Sequence, residues 1–61
     1  MKINQLKINE LAESWINGNI SYVKDKVKRL NKLEFLLLAY EIHNRTDNRD
    51  LDEIAYRLIS A

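Results

Sequence analysis

Residues 30–42, LNKLEFLLLAYEI, restrict the possible folds more than any other part of the chain. Phe35 to Tyr40 is an unbroken run of apolar or aromatic residues. Just before it, Asn31 is placed to cap a helix with Glu34 at the third helical position. Leu30 and Phe35 stand where a hydrophobic staple joins the residue before a cap to the fourth residue of its helix. One helix is therefore expected to stop at Leu30 and another to start at once. With Leu33 set at 0° on the new helix, Leu36, Leu37 and Tyr40 fall within about 60° of it, and Phe35, Leu38, Ala39 and Ile42 between about 140° and 240°. Polar residues (Glu34, Glu41, Arg45) occupy one narrow sector between them. A helix apolar on two sides belongs at the centre of a bundle.

The rest of the chain supplies elements to surround it. There is no proline and Gly18 is the only glycine, so short helices with polar joints are the natural reading. Ile8, Leu11, Ala12, Trp15 and Ile16 form one helical face, predicting a helix over about 9–17. Gly18 fits the left-handed position that ends a helix, and Asn19 fits the cap of the next. Ile20, Val23, Val27 and Leu30 give a narrower stripe over about 20–30. The central helix spans about 32–44. A polar stretch, HNRTDNRD (43–50), reads as a loop, with Asp50 and Glu53 resembling a second capping box and Asn48 a competing cap. Leu51, Ile54, Ala55, Leu58 and Ile59 predict a last helix over about 50–60. The expected fold is all-α: one domain over residues 1–61, a compact bundle of four short helices with the third central, and residues 1–7 extended or frayed. The near repeat KINQL/KINEL (2–11) has a five-residue period that suits neither helix nor strand, and two copies do not make a repeat architecture.

Composition removes several classes of function. A 61-residue chain is too small to bury much surface and is normally reinforced by disulfides, metal or association. There is no cysteine, and His43 is the only histidine, so disulfides and thiolate or multi-histidine metal sites are excluded. No signal sequence is legible after Met1, and the longest apolar run is far below the roughly 20 residues that span a bilayer. A cytoplasmic location is expected. Residues 1–33 carry seven basic and three acidic side chains, and residues 34–61 carry three basic and six acidic, so the halves have charges of +4 and −3. Such asymmetry guides association with a partner or with a second copy.

Two groups of residues are candidates for a site. The first is apolar surplus on the third helix. In one reading helices one, two and four wrap the third into a self-contained domain; in the favoured one part of the Phe35, Leu38, Ala39, Ile42 face, or of the Leu33, Leu37, Tyr40 face, stays exposed for contact with another chain. Phe35, Leu38, Ala39, Ile42 and Tyr40 are assigned to partner binding, including formation of a homodimer. The second is the basic set Tyr22, Lys24, Lys26, Lys28, Arg29 and Lys32, which has the chemistry to follow a phosphate backbone or an acidic protein surface. Asp25 interrupts it, and a solvated helix face explains the same residues. A DNA-reading helix-turn-helix over the first two helices places Asn17 and Lys24 where apolar residues belong. His43 near a helix C-terminus suits the dipole, and no nucleophile or second base accompanies it. Asp47, Asp50, Asp52 and Glu53 lack the spacing of a calcium loop. Trp15, at helical spacing, belongs to the core. No phosphate loop, nucleophile elbow or ligand pair is present, and such short helices are expected to leave little room for a pocket. No cofactor, small-molecule substrate or catalysis is therefore expected.

The stretch ESWINGNISYVKDKVKRLNKLEFLLLAYEI (13–42) resembles short helical proteins of unknown function encoded by phages and other mobile elements. In those, a helix ends in an NGN-like turn, a charged helix follows and an apolar helix comes next. The resemblance implies a small non-enzymatic protein that inhibits or regulates a host or defence protein by binding it. A nucleic-acid-binding regulator using the basic second helix is the alternative.

Overall fold

The computed structural model describes residues 4–47 and 50–60. Four helices follow one another: α1 (Gln5–Ile16), α2 (Ile20–Val27), α3 (Lys32–Arg45) and α4 (Leu51–Ile59). α3 packs on α1 and on α4, and α2 closes the other side by packing on the same two helices. Each helix gives one stripe to the core: Ile8, Leu11 and Ala12 from α1, Val23 and Val27 from α2, Leu38, Ala39 and Ile42 from α3, Ile54 and Leu58 from α4. Trp15, Leu30, Phe35, Leu37 and Leu51 pack around this centre. No charged or polar residue is buried among the described residues, so burial there is not opposed by desolvation.

Local chemistry sets the boundaries. α1 begins four residues earlier than its apolar stripe suggests. The Asn4 side chain accepts a hydrogen bond from the Lys7 N–H at 3.2 Å, which nucleates the helix there. Gln5–Lys7 are therefore helical, a correction to the expectation that 1–7 is extended or frayed; residues 1–3 of that segment lie outside the described residues. At the other end the Gly18 N–H bonds the Trp15 carbonyl (3.1 Å) and the Asn19 N–H the Ser14 carbonyl (2.9 Å). This pair defines a Schellman motif, with Gly18 at φ +93° as its left-handed residue. Asn19 holds the cap position of α2 but makes no side-chain capping bond.

α2 ends at Val27, three residues short of the expected boundary. The N–H groups of Arg29 and Leu30 reach back only three residues, to Lys26 and Val27, so the last turn tightens instead of continuing. The capping box that opens α3 enforces this: Asn31 Oδ1 accepts from the Glu34 N–H (2.8 Å) while Glu34 Oε1 accepts from the Asn31 N–H (3.2 Å). α3 then runs through Arg45, one residue beyond the expected end at Asn44 and into the start of the polar stretch. Thr46 closes the helix, donating its N–H and its hydroxyl to the Ile42 carbonyl. Asp50 caps α4 by accepting from the Glu53 N–H (3.1 Å). The competing cap at Asn48 lies outside the described residues.

Candidate functional site

α3 has two apolar faces, and the fold uses them differently. Leu38, Ala39 and Ile42 are completely interior, and Phe35 packs beside them. Leu38, Ala39 and Ile42 cannot present a free surface while the domain is folded, which corrects their assignment to partner binding; Phe35 is partly buried. Of the five residues in that group only Tyr40 is exposed, at 51%. It belongs to the opposite face. Leu33 (50% exposed), Leu36 (44%) and Tyr40 stand three and four residues apart and form one stripe on the outer side of α3, with half-buried Leu37 beside them. Glu34 and Glu41 line one flank of this stripe, and Lys32 and His43 lie on the other.

The polarity of α3 is fixed by what surrounds its inner face. Arg45 forms ion pairs with Glu13 of α1 and with Glu41 one turn earlier (3.3 Å). The Glu13 pair ties α3 to α1 across their seam, and the Glu41 pair lies along α3 itself. Phe35, at the staple position, and Leu30, before the cap, both pack against the core, Phe35 on the same side of α3 as Leu38 and Ile42.

The basic residues do not form one surface. Lys24 and Lys28 face α4, where they line a half-open cleft of about 500 Å³ with Ser21, Asp25, Val27, Leu58, Ile59 and Ser60. Tyr22, Lys26 and Arg29 face α1 and share a smaller cleft of about 200 Å³ with Lys7, Glu10 and Leu11. Lys32 stands apart, in the first turn of α3. Periodicity separates the two sets: on α2, Lys24 and Lys28 lie to one side of the buried Val23–Val27 stripe and Tyr22 and Lys26 to the other. The α2–α4 cleft was not expected from so short a chain. It arises because two brief helices meet near their ends, leaving Val27 and Leu58 as an apolar floor and Ile59 67% exposed at the mouth.

Tyr22 organises the α1–α2 cleft. Its hydroxyl donates to Glu10 Oε1 at 3.3 Å, and the Lys26 ammonium lies 5.6 Å from its ring centre. The negative charge of Glu10 is the main reason that the phenol is pushed above its ordinary value, with partial loss of solvent and the hydrogen bond adding in the same direction. Among the described residues no three of the His, Cys, Asp and Glu side chains gather as a metal-holding group. No helix among them is long and apolar enough to cross a membrane.

Neither a family model nor a curated protein nor a solved structure matches the chain.

Proposed function

We propose that the chain is a non-catalytic binding module that holds another protein along the outer face of α3. The observation that carries this reading is the Leu33–Leu36–Tyr40 stripe: three large apolar side chains, each about half exposed, aligned on the face turned away from a core that is already complete. Such a stripe is the pattern by which one helix docks with another helix or a hydrophobic groove. Fully burying a side chain of this size is worth roughly 1.5–3 kcal/mol, and these three are half covered already, so the stripe supplies about half of that from each and needs polar contacts at its flanks to make a specific contact. The resemblance of residues 13–42 to phage-encoded proteins supports action as an inhibitor or regulator of the protein so bound.

The test is a display selection of helical peptides against the folded protein, with the binders mapped by amide chemical shifts. The shifts are expected to cluster at Leu33, Leu36 and Tyr40, and Leu36→Glu is expected to abolish binding without altering the circular dichroism. Binders that map elsewhere and tolerate Leu36→Glu would remove the basis of the proposal.

One observation favours a second reading, a nucleic-acid-binding regulator: Lys7, Lys26 and Arg29 converge beside the half-exposed ring of Tyr22. Cations around an aromatic ring are the elements of single-strand recognition. Glu10 sits within the same cleft and opposes a phosphate there. This reading requires low-salt binding of an oligonucleotide that weakens steeply with added salt and with Lys26→Ala/Arg29→Ala. Absence of binding at low salt rejects it.

A further inference from the structure

We infer that the α3 stripe of one copy of this chain recognises the α2–α4 cleft of another, so that the protein associates head to tail with itself. The inference rests on the stripe being a protein-binding surface, as proposed above, and names its occupant. The two surfaces match in three respects. Both have an apolar centre: Leu33, Leu36 and Tyr40 on one, and Val27, Leu58 and the exposed Ile59 on the other. Their charges are opposite in balance: Glu34 and Glu41 outnumber Lys32 along the flanks of the stripe, and Lys24 and Lys28, one turn apart, outnumber Asp25 in the cleft. Their lengths agree: Leu33 to Tyr40 rises about 10 Å along its helix, and the α2 wall of the cleft, Ser21 to Lys28, rises about as much, with α4 contributing Leu58 and Ile59 at its end. Glu34 engages the Asn31 N–H through Oε1 and Glu41 engages Arg45 through Oε2, so each carboxylate has its other oxygen to turn toward a lysine.

An antiparallel two-fold pair of α3 helices fits less well. In a two-fold antiparallel pair each flank of the stripe faces its own copy, which sets Glu34 of one chain against Glu41 of the other. Pairing of stripe with cleft replaces that repulsion with attraction. Because the two surfaces differ, each copy has one of each to offer, and growth continues until a ring closes.

Two singly blocked variants test this directly. Leu36→Glu disables the stripe, and Lys24→Glu/Lys28→Glu disables the cleft; Ile59→Glu disables the cleft through its apolar part should the double variant lose helicity by circular dichroism. Light scattering of the wild type is expected to show a mass that rises with concentration above the 7.2 kDa of one chain. Each variant alone is expected to remain at that mass. Mixed in equal amounts, a stripe-blocked and a cleft-blocked variant are expected to give a complex of twice the mass and no larger, since each retains one working surface. An isologous α3 dimer gives a different result: the cleft variants still dimerise and the mixture gains nothing. That result, or a wild type that stays monomeric at millimolar concentration, overturns the inference. A monomeric wild type whose stripe still takes selected peptides would do so while leaving the binding surface itself intact.

Discussion

Gly18 and Tyr22 show how much a single residue decides here. Gly18 sits at φ +93° with no atom within 4 Å of where a Cβ would project, so only backbone conformation opposes a side chain at that position. The left-handed conformation costs an L-residue roughly 1–2 kcal/mol, and Gly18→Ala is expected to lower the free energy of unfolding in urea by about that amount. Gly18→Asn should lose less. An alanine variant as stable as the wild type would mean that the α1–α2 joint does not use this conformation. Tyr22 offers a pH test. Its phenol is raised chiefly by Glu10, so its neutral form is favoured in the folded chain. The associated stabilisation is present below the unfolded phenol value of about 10 and is lost as pH rises through the folded one. Glu10→Gln removes the main cause, and the Tyr22 ring resonances are expected to titrate at lower pH in that variant. An unchanged midpoint would mean that the two side chains do not meet in solution.

At the scale of the helix, caps rather than propensities set the boundaries, and they were legible to different degrees. Asn31 and Glu34 announced themselves by spacing, and both reciprocal bonds are present. Asn19 has the same residue type at the same kind of position yet makes no side-chain bond, because the Schellman closure of α1 already fixes the entry to α2. Asn31→Ala is therefore expected to cost about 1 kcal/mol, the usual value of a working Asn cap. Asn19→Ala should cost well under half of that in the same denaturation experiment, and equal losses would show that the two caps work alike. The start of α1 was not legible for the opposite reason. Asn4 lies outside the apolar stripe, and nothing in the periodicity of Ile8 to Ile16 extends toward it. Propensity likewise allowed α2 to run to Leu30; competition from the next helix's capping box ended it sooner.

For the molecule as a whole, all-α architecture and a core-forming stripe on every helix were readable, because each stripe is local and its period is 3.6 residues. The division of α3 into an inner and an outer face was harder, since Leu33/Leu36/Tyr40 and Leu38/Ala39/Ile42 are equally apolar. Only the pairing of α3 with α1 and α4 chooses between them, and that choice depends on contacts remote in sequence. The α2–α4 cleft is more remote still, being a gap between two elements and not a property of either. The same division yields the sharpest test of the fold. A domain of 61 residues has a total stability of about 3–9 kcal/mol. Leu38 is fully buried, and Leu38→Ala is expected to cost about 2–5 kcal/mol, a large share of that total. Leu36 is two positions away, has the same chemistry and lies on the outer face, and Leu36→Ala is expected to change stability by no more than about 0.5 kcal/mol. Thermal unfolding followed by circular dichroism measures both variants at a concentration low enough to keep the chains apart. If Leu36→Ala proved the more damaging, the outer stripe would belong to the core and the face assigned to binding would have to be reversed.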